Sequence, residues 1–181
     1  MTAPRESPAW LAGARAAIRD VPDFPKPGIT FKDITPLLGD AGLFAAVTDE
    51  MAARAADLSI THVIGVESRG FIVGAPVAQA LGAGFVPVRK PGKLPFRSIR
   101  EEYALEYGTD SLDMHEDALG HSARVLVVDD VLATGGTAAA TCRLVERAGG
   151  KVAGCTFLIE LGFLAGRRRL EGRAVESLLV Y

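Results

Sequence analysis

Cysteine is nearly absent from this chain, with two residues among 181. Two thiols can neither complete a four-cysteine zinc site nor build a disulfide framework. Cys142 and Cys155 stand among apolar neighbours, in stretches that read as helix and strand. They are expected as small core residues in a reducing cytoplasm. The three histidines, His62, His115 and His121, lack any metal-ligand spacing, so no built-in protein metal is expected. Charge of one sign is also missing. A formal net charge of −2 gives no whole-chain electrostatic reason to bind nucleic acid. No apolar run approaches the roughly 20 residues that span a bilayer. The first ten residues lack the basic-then-apolar order of a signal peptide. A soluble cytoplasmic protein, with neither membrane nor nucleic acid as partner, is the expectation. The basic run Arg167-Arg168-Arg169 is expected at a solvated helix C-terminus, where cations are favoured.

Hydrophobic residues make up 49% of the chain, and its length suits one domain with a proper core. Its most informative stretch runs from Arg124 to Thr137. Residues 124–128 are apolar and mostly β-branched after the arginine, the pattern of a strand buried on both faces of a parallel sheet. Asp129 and Asp130 follow at its carboxyl end. Then come Val131, Leu132 and the turn Ala133-Thr134-Gly135-Gly136, with Thr137 leading into an Ala-rich helical stretch. Open α/β sheets bind ligands at the carboxyl ends of their strands. A glycine turn feeding a helix N-terminus offers bare N–H groups and a positive dipole end to phosphate. Carboxylates beside such a cradle would repel phosphate. They suit sugar hydroxyls instead, directly or with Mg²⁺ nearby. The implied ligand is a sugar phosphate. Taken separately, an Asp-Asp pair also occurs in other metal sites, and Gly-Gly is often a plain turn.

An amphipathic helix is expected over 9–19. Four prolines between Val21 and Pro36 exclude a helix and a central strand there. With Phe24 and Phe31, this stiff segment is either a connector or a hood over a flat ring. Asp40 can cap a helix running to about 56. A strand is expected over 62–66, then the turn Glu67-Ser68-Arg69-Gly70 and a helix over 71–81. Ser68, Arg69 and the turn's N–H groups suit a second anion; the alternative is a Glu67–Arg69 ion pair. After a strand over 85–88 comes the basic loop Arg89 to Pro95. Its Gly92-Lys93 lacks the flanking residues of a P-loop. Residues 101–108 alternate like half of an exposed hairpin with 109–114, which is either an active-site lid or a solvated excursion. A helix over 136–148, a strand over 151–160, a short helix over 163–170 and an edge strand over 175–180 complete an α/β chain. Its sheet is expected to be mostly parallel and twisted, flanked by helices.

The order of strand, Asp-Asp, two apolar residues, Ala-Thr-Gly-Gly-Thr and helix resembles the signature of the phosphoribosyltransferase family. The donor of that family is 5-phosphoribosyl-1-pyrophosphate (PRPP). From Pro22 to about Leu179 the chain resembles the adenine-using branch. Five segments carry this likeness: Pro22-Asp23-Phe24-Pro25 to Asp33-Ile34, Glu67-Ser68-Arg69-Gly70-Phe71, Arg89-Lys90 with Gly92-Lys93-Leu94-Pro95, Leu105-Glu106-Tyr107-Gly108, and the Asp129 to Thr137 motif.

The resemblance implies a type I phosphoribosyltransferase fold in one domain, with a hood at about 21–38 and a lid loop at about 89–110. It also implies a homodimer, and conversion of adenine and PRPP with Mg²⁺ into AMP and pyrophosphate. By the same resemblance, Ala133, Thr134, Gly135, Gly136 and Thr137 hold the 5-phosphate, and Asp129 and Asp130 address the ribose hydroxyls. Ser68, Arg69, Lys90 and Lys93 hold pyrophosphate, with Arg89 contributing, in one arrangement across a subunit boundary. Glu106 meets the imidazole edge of adenine and assists proton removal, while Tyr107 helps close the lid. Phe31 stacks on the base with Leu161 on the far side, and backbone groups of Thr30 and Lys32 read its amidine edge. The Mg²⁺ is carried mainly by PRPP.

Two rivals follow. Relatives that take 6-oxopurines such as hypoxanthine or xanthine meet the carbonyl with a lysine in the late strand–loop region, and Glu160 to Leu164 contains none. A PRPP-sensing regulatory module would lack the lid acid, whereas Glu106 is present. Residues 96–102 match no motif of the family, and Lys32 stands where some relatives have arginine.

Overall fold

The computed structural model describes residues 9–104 and 108–181. The chain forms two compact units, residues 1–50 and 51–181. In the first, helix α1 (Ala9–Ala17) is followed by the antiparallel pair β1 (Arg19–Val21) and β2 (Phe31–Asp33). A one-turn helix, α2 (Thr35–Leu38), comes next, and then α3 (Ala41–Ala55), which runs into the second unit. The proline-rich stretch does contain a helix, contrary to the sequence expectation. Pro36 sits in the first turn of α2, where its missing N–H has no intrahelical partner to lose. Asp33 Oδ1 starts that turn by accepting from the Thr35 N–H and hydroxyl, at 2.9 and 2.7 Å. Asp40 Oδ1 accepts from the Leu43 N–H at 3.0 Å, the expected cap on α3.

The second unit is built on a five-stranded parallel sheet. Its strands are β3 (His62–Val66), β4 (Gly84–Val88), β7 (Arg124–Leu132), β8 (Lys151–Glu160) and β9 (Val175–Val180), in the order β4-β3-β7-β8-β9. Between β4 and β7 the chain makes an antiparallel hairpin of β5 (Ser98–Ala104) and β6 (Thr109–His115). Helix α4 (Arg69–Ala80) packs on β3 and β7, and α5 (Gly136–Arg147) packs on β7, β8 and β5. The β-branched runs that predict the central strands are buried: Val63, Ile64, Val125, Val127 and Val128 have no exposed surface. Cys142 and Cys155 are core residues as expected, with their sulfurs 3.7 Å apart. Among the described residues no helix is long and apolar enough to cross a membrane.

Two further elements depart from their predicted form. Strand β7 does not stop before the carboxylates but runs through both of them to Leu132. Its ladder with β8 continues, pairing Asp129 with Phe157, Val131 with Ile159 and Leu132 with Glu160. The expected helix over 163–170 is instead two 3-10 turns, Gly162–Leu164 and Gly166–Leu170, hinged at Ala165, whose φ is 51°.

Candidate active site

Strands β3 and β7 are parallel neighbours, so the turns that follow them lie toward the same end of the sheet. After β7, Gly135 adopts φ 79°, a left-handed conformation that glycine tolerates, and caps α5. Residues 131–138 and Asp129 line a cavity of about 80 Å³. One water needs only about 10–15 Å³ on this measure, so the cavity holds a group larger than a single water. The α5 N-terminus faces it with unpaired N–H groups and a positive dipole end. Ala133 to Thr137 thus form the glycine turn and helix start that their order predicts.

Asp129 and Asp130 stand on opposite faces of the extended β7 backbone. The Asp129 carboxyl accepts the Asp130 N–H at 2.9 Å and lies against α4, where a Cβ on Gly70 would sit 2.7 Å from its Oδ1. Burial first, and the neighbouring Asp130 charge second, push Asp129 well above the ordinary carboxylate range. Asp130 is buried and ion-paired with Arg69 of α4. Strand β7 and the start of α4 are therefore joined by a charge pair.

The expected alternative, a Glu67–Arg69 pair, is not what forms. Glu67 instead accepts from Arg89 Nε and Nη2, both at 3.2 Å, and from the Lys90 N–H at 2.9 Å. That backbone bond first, and the Arg89 guanidinium with it, outweigh desolvation and hold Glu67 below its usual pKa. Arg89 also donates to the Lys93 carbonyl at 3.1 Å and lies over the Phe71 ring. Ser68 and Lys93 are exposed on their turns. Ser68, Arg69, Arg89, Lys90 and Lys93 thus fall on two adjoining loops, after β3 and after its neighbour β4. The Lys90 ammonium is bound to Asp110 and lies 3.4 Å from the Tyr103 hydroxyl. Burial opposes its charge, but these partners more than compensate and raise its pKa.

Leu161 follows β8 and is fastened by its N–H to the Leu132 carbonyl at 2.9 Å. Beside it, Glu160 accepts two bonds from Arg167, at 2.8 and 2.9 Å, and one from Ser177 at 2.7 Å. Arg167 is therefore structural, rather than one of three solvated cations at a helix end. In the first unit, Phe31 packs edge-on against Phe24, with centroids 5.3 Å apart. Thr30 precedes β2, and Lys32 Nζ reaches Asp20 Oδ1 at 2.5 Å. Glu106 and Tyr107 lie outside the described residues.

Sequence reasoning missed three residues at this site. Tyr103 and Asp110 face each other across the hairpin and contact Lys90. The signal for Tyr103 was the inward alternation of Ile99, Glu101 and Tyr103 along β5. Arg169 is the third. One of its guanidinium nitrogens would lie 3.4 Å from a Cβ on Gly136, and it makes no ion pair among the described residues. Nothing in an Arg-Arg-Arg run distinguishes the member that faces the cradle.

A glycine turn into a helix and a cation-bearing loop at the ends of neighbouring parallel strands suit a polyanionic ligand, and the phosphoribosyl transferase domain model matches residues 38–176. The chain belongs to the phosphoribosyltransferase family, within its adenine-using branch. It is 60% identical over 171 residues to the adenine phosphoribosyltransferase of Myxococcus xanthus (strain DK1622), covering 94% of this chain and 93% of that protein. The crystal structure of adenine phosphoribosyltransferase from Thermoanaerobacter pseudethanolicus is similar at a TM-score of 0.93 and 50% identity, covering 94% of this chain and 99% of that one. The enzyme from Saccharomyces cerevisiae, solved with an imino-altritol bisphosphate and adenine, is similar at a TM-score of 0.90 and 38% identity, with the same coverage.

Proposed function

We propose that this enzyme transfers the 5-phosphoribosyl group of PRPP to adenine, giving AMP and pyrophosphate in purine salvage. The observation that carries this reading is the left-handed Gly135 turn into α5, placed beside Asp129 at the end of β7. The names of the relatives supply the base. The N–H groups of residues 133–137, with the Thr134 and Thr137 hydroxyls, take the 5-phosphate. Asp129 and Asp130 take the ribose hydroxyls, Asp130 while held by Arg69. Ser68, Arg69, Arg89, Lys90 and Lys93 take the pyrophosphate. Thr30, Phe31, Lys32 and Leu161 serve adenine.

In the reaction the bond from ribose C1 to the pyrophosphate oxygen breaks, and its electron pair leaves with pyrophosphate. Positive character develops on the ribose as a new bond to an adenine nitrogen forms. Preorganised cations facing the leaving charge supply what is commonly the largest catalytic term. The base gives up a proton, which we assign to Glu106; a positioned acid or base contributes about 10²–10⁴-fold. Tyr107 helps the lid exclude water, which would otherwise hydrolyse the donor. No cluster of three or more acidic, histidine or cysteine ligands occurs among the described residues. Asp130 is already engaged by Arg69, and burial disfavours charge on Asp129. This donor set fits Mg²⁺ carried on PRPP oxygens, not caged by protein. Bound there, the metal would screen the pyrophosphate charge.

We further read the chain as one domain with a hood at about 21–38 and a lid at about 89–110. It acts as a cytoplasmic homodimer, with Arg89 contributing to the grip on pyrophosphate. The deciding assay offers adenine, hypoxanthine, guanine and xanthine separately with PRPP and Mg²⁺ and follows nucleotide formation. Preference for any base other than adenine overturns the reading.

A further inference from the structure

Tyr103 is where the lid hairpin, the basic loop and the phosphate turn meet. It is 6% exposed. Its hydroxyl donates to Asp110 Oδ2 at 3.1 Å and accepts from Thr137 Oγ1 at 3.2 Å and Lys90 Nζ at 3.4 Å. One donor and two acceptor positions are all that a phenol has, so its capacity is filled. The ring edge lies against the cradle as well, 3.3 Å from where a Cβ on Gly136 would stand. Asp110 is the register partner of Tyr103 and binds the same ammonium, so Lys90 is held from two sides of one hairpin rung.

We propose that Tyr103 is a positioning residue for the donor: its hydroxyl sets the separation between the Lys90 ammonium and the Thr137 hydroxyl, and ties both to the strand that leads into the lid. The inference rests on the reading above, in which Lys90 grips the pyrophosphate of PRPP and Thr137 its 5-phosphate. PRPP is anionic at both ends, so its affinity depends on two grips held at one spacing. Holding them there in advance removes part of the ordering cost of binding. A ligand with one anionic end does not sense that spacing. Asp110 keeps Lys90 from pointing elsewhere and neutralises it until a phosphate arrives.

The test is calorimetric titration of wild type and Tyr103→Phe with PRPP, pyrophosphate and ribose 5-phosphate, each with Mg²⁺. Loss of the hydroxyl is expected to weaken PRPP about tenfold, the size of one hydrogen bond to a charged partner, and to shift either fragment by no more than about twofold. In turnover, KM for PRPP rises while KM for adenine holds. As a second variant, Asp110→Asn removes the charge that holds Lys90 and weakens the bond from the Tyr103 hydroxyl; it should weaken PRPP and pyrophosphate and spare ribose 5-phosphate. Equal losses for all three ligands in Tyr103→Phe would mark a merely structural residue, and unchanged PRPP affinity would remove Tyr103 from donor binding; either overturns the proposal. A wild type that binds neither PRPP nor its fragments would overturn the donor reading itself, and this inference with it.

Discussion

The carbonyl oxygen of Gly166 occupies the space that a side chain on Gly135 would need, and a Cβ on Gly166 would in turn collide with the Ala133 carbonyl. The 3-10 turn after β8 is thus laid backbone to backbone on the Ala133–Gly135 turn. Gly135 carries a second constraint, its φ of 79°. Gly166→Ala should push the cradle out of shape. A stability loss of about 1–3 kcal/mol is expected from overpacking, with PRPP affinity falling more than the unfolding midpoint suggests. Urea denaturation and PRPP titration together check this; a variant with normal affinity would show that the turn is not a buttress.

Arg69 and Asp130 join α4 to β7, and they are unequally exposed. The Asp130 side chain is 6% exposed and that of Arg69 41%. Removing the arginine strands a carboxylate in the interior. A fully buried pair broken in this way costs about 3–5 kcal/mol. Partial exposure of Arg69 reduces the expected loss for Arg69→Ala to about 1–3 kcal/mol. Asp130→Asn should cost less, because the solvated partner is the one left over. Chemical denaturation of both variants tests that order, and the reverse order would mean the pair contributes little to holding α4 to β7.

The strands over 62–66, 151–160 and 175–180 were legible to the residue because apolar, largely β-branched and aliphatic residues predominate in each. The end of β7 was not. Asp-Asp reads as a terminator, yet the ladder with β8 carries the backbone past it. The turns over 162–170 were misread for a similar reason: helical spacing was present, but contact of Gly166 with Ala133 governs the backbone. The turn into α5 was legible because its signal is local, a glycine pair at a helix start. The ion pairs were not, since Glu67 finds Arg89 22 positions away and Arg69 finds Asp130 61 away. Candidate cations can be read from a chain, but their resting partners depend on which strands become neighbours.

Acid sensitivity follows from the carboxylates held low. Glu67 is lowered from 4.5 by the Lys90 N–H and Arg89. Asp113 is lowered from 3.8 by Arg100. A group depressed in the folded state contributes stability that is present above its unfolded pKa and lost as pH falls through the folded one. The loss should therefore set in below about pH 4.5 and grow with further acidification, on the usual carboxylate range. Glu67→Gln should flatten that acid limb while changing the neutral midpoint less. Denaturation midpoints from pH 7 down to pH 3 measure it, and a limb as steep as wild type would show that Glu67 is not one of the responsible groups.

Asp129 has the opposite sign. Its folded-state pKa is raised well above 3.8, by burial first and by Asp130 second. Above its unfolded value, the folded protein retains a proton there that the unfolded chain has released, so this group's contribution falls as pH rises. At neutral pH the residue is therefore a source of instability retained at the ligand site, a pattern common where function and stability compete. Asp129→Asn keeps the shape and an acceptor for the Asp130 N–H while removing the charge. It should raise the unfolding midpoint at pH 7, leave it nearly unchanged near pH 4, and weaken PRPP binding. A variant less stable at pH 7 than at pH 4, relative to wild type, would mean that the carboxylate is ionised and stabilised by partners in the cradle. The same variant binding PRPP normally would separate Asp129 from the ribose.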